Sequence, residues 1–112
     1  MATIRQNKVS RLLQREMGDI FQKEGKNILP GSLITVTNVE VTADLSIAKV
    51  YITVLGKSTP TEALEILMTK KSELRHELSH KVKHQLRIVP ELRFYIDESY
   101  DAMMHIEQLL KK

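Results

Sequence analysis

One run of five residues has the spacing of a zinc-dependent peptidase. His76, Glu77 and His80 match H-E-x-x-H, the pattern in which two histidines bind zinc and the glutamate activates a water molecule. Residues four apart lie on the same face of a helix, so this spacing would let both imidazoles reach one metal ion. So short a match can arise by accident, and its meaning depends on the helix that carries it.

The apolar residues around this motif argue against a catalytic zinc. Leu74, Leu78 and Val82 form a stripe on the side of the helix opposite the two histidines and His84. Burying this stripe would turn the histidines to solvent. A catalytic zinc also needs a third protein ligand and a cleft that excludes water, and no obvious ligand follows in the sequence. We therefore expect no metal, no cofactor and no catalytic residue, and keep a zinc peptidase as a remote alternative.

The chain offers no other catalytic motif. It contains no cysteine, which excludes disulfides and thiolate chemistry. Its four glycines have neither G-x-G-x-x-G nor P-loop spacing, so no loop of this kind is predicted to hold phosphate or a nucleotide. Asp97, Glu98 and Asp101 fit the acidic start of a helix better than a carboxylate site. We expect no small-molecule substrate.

Positive charge is concentrated in two segments of the chain. The formal net charge is only +3, but residues 1–30 carry six Lys/Arg against three Asp/Glu, and residues 57–90 carry seven against four. Residues 91–112 reverse the balance, with three against five. Clustered positive charge indicates a surface that binds a polyanion. A merely solvated helix face is the alternative explanation.

The length and the apolar pattern limit the architecture. A chain of 112 residues fits a single domain, 1–112, with one core. The first ten residues carry Arg5 and Lys8 and no apolar run, which predicts no signal peptide. The longest apolar stretch, residues 50–55, is far too short to cross a bilayer. We expect a cytoplasmic protein with no membrane partner.

The first half of the chain predicts a helix followed by a hairpin. An apolar stripe predicts a helix over residues 4–23, ended by Gly25 and Pro30-Gly31, with Lys8, Arg11 and Arg15 on its opposite side. Residues 33–41 and 47–55 have strand composition and should pair antiparallel around a loop at 42–46. The apolar phase shifts across Asn38, which predicts a bulge there.

The second half predicts a broken helix, a strand and a final short helix. Residues 59–62 form a capping box with proline at the first helical position, and an apolar stripe continues to Leu86. A straight helix would place Lys71 in the apolar face, so we expect a break near 70–72. Residues 92–96 alternate as a third strand, and Ser99 can cap a helix carrying Met103, Ile106 and Leu110. The class is α+β, an α-β-β-α-α-β core with helices on one face of a three-stranded sheet.

Two stretches of this sequence resemble the ribosome-binding factor A family. One is V-x-x-D-L-S-x-A-K-V-Y, at residues 41–51, and the other is V-P-E-L-R-F, at residues 89–94. The resemblance runs over nearly the whole chain. It implies a type II KH-like domain that binds the immature small ribosomal subunit and promotes late maturation and processing of its ribosomal RNA.

The sequence departs from this resemblance at two points. An ordinary KH domain grips nucleic acid with a GXXG loop, and no glycine follows Gly56 here. The family usually has Ala-x-Gly at the kink between its central helices, where this chain has Lys70-Lys71-Ser72. Aromatic residues are few, so we expect electrostatic and shape-based contact with folded RNA.

These considerations select a set of basic residues as the candidate RNA-binding surface. They are Lys8, Arg11, Arg15, Lys70, Lys71, Arg75, Lys81, Lys83, His84 and Arg87. The expected partner is the small ribosomal subunit with its ribosomal RNA, and away from the ribosome we expect a monomer. The alternative is an interaction module whose basic surface docks acidic proteins.

The outward placement of the histidines predicts that the purified, tag-free protein contains no stoichiometric zinc and has no peptidase activity. Elemental analysis of the protein checks this. About one zinc ion per chain, lost in His80→Ala, would contradict the prediction.

Overall fold

The computed structural model describes residues 2–98. Its elements are α1 (Ile4–Ile28), β1 (Ser32–Val41), β2 (Ile47–Gly56), α2 (Pro60–Thr69), α3 (Lys71–Val82) and β3 (Glu91–Ile96). This order confirms the α-β-β-α-α-β core and the α+β class. The expected final helix, with Ser99, Met103, Ile106 and Leu110, lies outside the described residues. Within residues 2–98, no helix is both long and apolar enough to span a membrane.

The three strands form one mixed sheet with β2 in the centre. β1 pairs with β2 antiparallel and β3 pairs with β2 parallel, so that Val50 has Val39 on one side and Phe94 on the other. Successive strand residues point to opposite faces, and Val50, Ile52 and Leu92 point into a core shared with all three helices. The helices therefore cover one face of the sheet, as predicted.

The predicted bulge in β1 is confirmed. The pairing with β2 shifts between Val36 and Asn38 and leaves Thr37 as the extra residue. The Thr37 hydroxyl donates to the Asp97 carboxylate at 2.5 Å, just beyond the end of β3, and its carbonyl accepts from the Gln14 side chain of α1 at 3.3 Å. The extra residue thus ties β1 to the end of β3 and to α1.

Helix α1 begins at a cap and runs further than the sequence predicted. The Thr3 hydroxyl accepts from the Gln6 backbone N–H at 3.1 Å, and the Gln6 side chain accepts from the Thr3 N–H at 2.8 Å. Of the two predicted stop signals, Gly25 is wrong, because α1 continues to Ile28, whereas Pro30-Gly31 does follow the end of the helix. Gly25 lies on the buried side, and burial of Ile28 and Leu29 outweighs the roughly 1 kcal/mol by which glycine disfavours a helix.

Helix α1 also covers the outer edge of the sheet. Side-chain amides of Gln6 and Gln14 donate to the carbonyl oxygens of Val41 and Thr37, at 2.9 and 3.3 Å. An open strand edge presents unpaired backbone groups that can recruit another strand. Two glutamines two turns apart therefore satisfy part of the β1 edge from the helix above it.

The break between the central helices falls where the sequence placed it. α2 ends at Thr69, α3 begins at Lys71, and the backbone N–H of Lys70 is shared between the carbonyls of Ile66 and Leu67. α3 then ends earlier than expected, at Val82, so Leu86 belongs to a turn and not to the helix. The chain must leave the helix there, because Glu91 has to reach the start of β2, where its N–H donates to Ser46 O at 2.9 Å.

Two glycines make a matched pair for testing the backbone. Gly56 has φ +128°, and a Cβ there would lie 2.4 Å from Gly31 O and 2.7 Å from Ser32 Cα. Gly18 lies within α1, with open space where a Cβ would stand. We expect Gly56→Ala to lower the free energy of unfolding by at least ~1–3 kcal/mol, from strain alone. Gly18→Ala should raise it by about 0.5–1 kcal/mol.

Urea unfolding of both variants beside the wild type measures these differences. Equal stability of Gly56→Ala and the wild type would contradict the close approach of residues 31 and 56.

Candidate nucleic-acid interface

Three parts of the chain that are remote in sequence meet at one end of the molecule. They are the first turn of α1, the β1–β2 turn at 42–46 and the connection at 83–90 that leads from α3 to β3. Together they line a hollow of about 390 Å³, into which α1 contributes Arg5 and the connection contributes Arg87 and Ile88. The two basic segments of the sequence therefore adjoin in space at this end.

A second hollow, of about 400 Å³, is also lined by the connection. Arg75 and His76 of α3 line it together with Arg87 and Ile88. The Arg75 guanidinium donates through both Nε and a terminal nitrogen to the Val89 carbonyl oxygen, at 3.2 and 2.7 Å. We refer to Arg5, Arg75 and Arg87 as the basic end of the molecule.

The acidic group of the turn at the basic end is engaged by its own neighbours. The Asp44 carboxylate accepts from the hydroxyl groups of Ser46 and Thr42, at 2.7 and 2.8 Å, and from the Ser46 N–H. Hydrogen bonds from Ser46 and then Thr42 hold the pKa of Asp44 below its ordinary value. The Asp44 carboxylate thus stabilises the turn through these hydrogen bonds. It forms no ion pair with Arg5 or Arg87, and neither arginine forms another ion pair within residues 2–98.

The other candidate residues fall into three groups: those that form no ion pair, those engaged within the protein, and the two lysines at the helix break. Those in the first group are exposed and form no ion pair within the described part of the chain: Lys8, Arg11, Lys83 and His84. Arg11 lines a groove of about 580 Å³ between α1 and β1, which also holds Glu40. The predicted exposure of the outer face of α1 is confirmed.

The second group is engaged within the protein. Lys81 Nζ lies 2.5 Å from Asp19 Oδ2 and 3.5 Å from Glu16 Oε2, so it joins α3 to α1. Lys23 and Arg15 add further pairs at 3.1 Å each, to Asp19 and Glu16 respectively. The hydrogen bond from Lys81, followed by that from Lys23, lowers the pKa of Asp19, and the same bond to Asp19 raises the pKa of Lys81.

The two lysines at the helix break are half-buried. Lys71 Nζ lies 3.6 Å from Glu91 Oε1, so the lysine that would spoil a straight apolar stripe pairs with the first residue of β3. Lys70 is the single residue between the two helices. Both stay in the candidate set, but the positive charge of Lys71 is partly compensated.

The histidine motif has the orientation that the sequence predicted. Leu74, Leu78 and Val82 are buried, while His76 and His80 are exposed. The Nε2 atoms of the two rings are 3.2 Å apart, a distance at which one neutral ring can donate to the other. Among the described residues, no cluster of three or more histidine or carboxylate side chains is arranged to hold a metal ion.

The sheet face opposite the helices carries an aromatic pair that sequence reasoning missed. Tyr51 of β2 and Tyr95 of β3 are register partners and stack with their ring centroids 5.6 Å apart. Burial and the neighbouring charge of Glu40 raise the pKa of Tyr51. With Glu40 and Asp97 nearby, this pair is a poorer place for an RNA phosphate than the basic end.

A sequence profile of the family described as ribosome-binding factor A matches residues 5–110. The chain belongs to the ribosome-binding factor A family. It is 48% identical to ribosome-binding factor A of Chlorobaculum tepidum over 112 residues, covering 97% of this chain and 90% of that protein. Identity to ribosome-binding factor A of Prosthecochloris aestuarii is 46% over 113 residues, with coverages of 98% and 89%.

Solved structures of the family share this fold. The crystal structure of ribosome-binding factor A from Thermus thermophilus superposes with a TM-score of 0.66 at 25% identity, over 81% of this chain and 94% of that one. A homology model of the Thermus thermophilus protein, fitted into a cryo-EM map of its complex with the 30S subunit, gives 0.64 at 25% identity, over 80% and 91%. The expected KH-like fold is confirmed.

The break between α2 and α3 forms without the Ala-x-Gly that the resemblance led us to expect. Lys70 adopts φ −99° and ψ 5°, and within residues 2–98 the only positive φ values belong to Gly31, Leu45 and Gly56. A break made with negative φ does not require glycine. Lys70-Lys71-Ser72 can therefore interrupt the helix without a glycine.

The Lys81 network predicts a pH-dependent contribution to stability. A carboxyl group whose pKa is lowered by folding stabilises the protein above its unfolded pKa, and this contribution is lost as the pH falls through the folded value. Asp19→Asn should therefore destabilise the protein at pH 7, and the difference from the wild type should disappear well below pH 3.8, the ordinary pKa of the group.

Urea unfolding from pH 7 down to about pH 2.5 measures the difference. Glu65→Gln is the control, since Glu65 is exposed and makes no ion pair within residues 2–98. A difference for Asp19→Asn that does not change with pH would contradict the role of its charge.

Proposed function

We propose that this protein binds the immature small ribosomal subunit through its basic end and the adjoining outer face of α1. In this role it assists late maturation and processing of the ribosomal RNA as a binding factor without catalysis. The observation that carries the proposal is the meeting of Arg5, Arg75 and Arg87 at one end of the fold. The Thermus thermophilus family member fitted into a map of its 30S complex supports the choice of partner.

The chemistry of the basic end suits the RNA backbone. A guanidinium group is planar, permanently charged and able to donate two parallel hydrogen bonds to a phosphate. Arg5 and Arg87 have no carboxylate partner within the described residues, so their charge is available to a ligand. Each phosphate that they neutralise releases condensed counterions, which favours binding at low salt.

The engaged lysines have a different place in the proposal. Lys81 of α3 is held by Asp19 and Glu16, and its removal would leave these two neighbouring carboxylates of α1 without their partner on α3. Its main role in the proposal is therefore to join α3 to α1, and contact with RNA is secondary. Lys8, Arg11, Lys83 and His84 extend the proposed surface, while Arg15, Lys70 and Lys71 stay at its margin.

In this proposal, the protein is a single cytoplasmic domain that is monomeric away from the ribosome. Within residues 2–98, all three helices and all three strands contribute to a single core, which supports one domain. Recognition would rest on charge and shape, because the exposed arginines sit on a surface already shaped by folding.

Charge reversal at the basic end should weaken binding to small subunits. We expect Arg5→Glu with Arg87→Glu to reduce affinity by at least tenfold at low salt, because two phosphate contacts become repulsive. For the wild type, the logarithm of affinity against the logarithm of salt concentration should have a slope of several units, about 0.7–0.9 per phosphate neutralised. The thermal midpoint should change little, since exposed charges each alter stability by about 0.5 kcal/mol or less.

The matched control is Lys26→Glu with Lys57→Glu, which changes the net charge by the same amount. Lys26 lies in the last turn of α1, about 30 Å along the helix from Arg5. Lys57 lies at the same end as Lys26, because its N–H donates to Gly31 O just beyond α1. Co-sedimentation with small subunits at several salt concentrations measures both double variants. Equal losses would mean that net charge alone matters. Binding that is unaffected by either change would favour docking to proteins.

A further inference from the structure

Ile88 is exposed at the centre of the basic end. Its relative exposure is 76%, and its neighbours Val89 and Pro90 are buried. An isolated exposed apolar residue is ordinary on a protein surface and needs no explanation by itself. The surroundings of Ile88 distinguish it, because it lines both of the hollows that the arginines line.

The support beneath Ile88 is fixed on both sides. The Arg75 guanidinium holds the Val89 carbonyl oxygen with two hydrogen bonds, and the Glu91 N–H donates to Ser46 O. Pro90 restricts its own φ angle and the conformation of the residue before it. The Ile88 side chain is therefore presented from a backbone that is already ordered, so little entropy is lost in fixing the loop when a ligand contacts it.

The arrangement around Ile88 alternates between charged and apolar chemistry. Ile88 lines both hollows, one together with Arg75 and Arg87 and the other together with Arg5, Arg87 and the hydrogen-bonded Asp44 carboxylate. An RNA strand alternates in the same way, since each ribose and base lies between two phosphates. Two phosphates seated in the hollows would bring the intervening nucleotide over the isoleucine.

We propose that Ile88 is an apolar anchor that packs against one nucleotide of folded ribosomal RNA, whose flanking phosphates lie in the two arginine-lined hollows. This inference rests on the proposed function and adds the residue that fixes where the RNA sits. Positive charge on both sides favours RNA over an apolar pocket on a protein. Isoleucine contributes by excluding water from the base or ribose that covers it.

The test compares two substitutions that remove the same number of carbon atoms. Ile88→Ala and Leu33→Ala each shorten an exposed C4 side chain to a methyl group, and Leu33, at 59% exposure, lies in a groove with Lys26 at the opposite end of the molecule. Affinity for small subunits and for protein-free ribosomal RNA of the small subunit is measured at several salt concentrations. We expect Ile88→Ala to lose about tenfold on both ligands and Leu33→Ala to lose nothing.

Salt dependence separates the apolar contact from the ionic ones. Ile88→Ala should keep the wild-type slope, because it removes no phosphate contact, while Arg87→Ala should lower the slope by about 0.7–0.9. Ile88→Leu, which retains the apolar area, should recover most of the affinity. Thermal midpoints of all variants should stay close to that of the wild type, since the three side chains are exposed.

The outcomes distinguish this inference from the proposed function. A wild-type protein that binds neither subunits nor RNA would overturn the proposed function and the inference together. If the wild type binds and Ile88→Ala binds equally well, only the inference is wrong. A loss on whole subunits without a loss on protein-free RNA would assign Ile88 to a ribosomal protein and overturn the RNA contact.

Discussion

The parallel pairing of β3 with β2 is the constraint on which the rest of the structure depends. Two parallel neighbours cannot be joined by a tight turn, so the chain must cross from the end of β2 back to its beginning. Helices α2 and α3 make this crossing over the face of the sheet where α1 also lies, and their apolar residues close the core. The crossing returns the chain at residues 83–90, beside the β1–β2 turn and the first turn of α1. The basic end is therefore a product of topology, because residues distant in sequence meet only where the crossover lands.

The same packing decides which positive charges remain available. Lys81 lies at the seam between α3 and α1, where a lone ammonium would be unfavourable, and two carboxylates of α1 compensate it. Lys71 is partly compensated by Glu91 at the start of β3. Within residues 2–98, neither Arg87 of the connection nor Arg5 of the first turn of α1 forms an ion pair. These four side chains carry the same formal charge in the sequence. In the fold, two of them are paired with carboxylates and two are not.

Much of the fold could be predicted from local patterns. Apolar periodicity, strand composition and the capping box at 59–62 identified the elements through β3. The phase shift at Asn38 identified the bulge, and the misplaced Lys71 identified the helix break. The errors arose at helix ends, whose positions are set by tertiary contacts. Gly25 remains helical because the buried face continues to Ile28, and α3 stops at Val82 because the chain must turn toward Ser46. The site was less predictable for the same reason. Arg5 lies one turn before Val9 on α1, and nothing in the local sequence indicates that it adjoins Arg87. The fold brings them together, because Leu86 and Pro90 line the same hollow as Arg5 and Val9.

The turn beside the basic end is itself held in a strained conformation. Leu45 has φ 60°, a left-handed geometry that costs a residue with a Cβ about 1–2 kcal/mol. The Asp44 hydrogen bonds to Thr42 and Ser46 offset this cost, and the Leu45 side chain packs against the core. The surface around Arg87 and Ile88 is thus bordered by a strained but well-bonded turn on one side and by the Arg75 contact with Val89 on the other. Both are set during folding, before any ligand arrives. A surface ordered in advance loses little conformational entropy on binding, which suits recognition of an RNA by its shape and its phosphates.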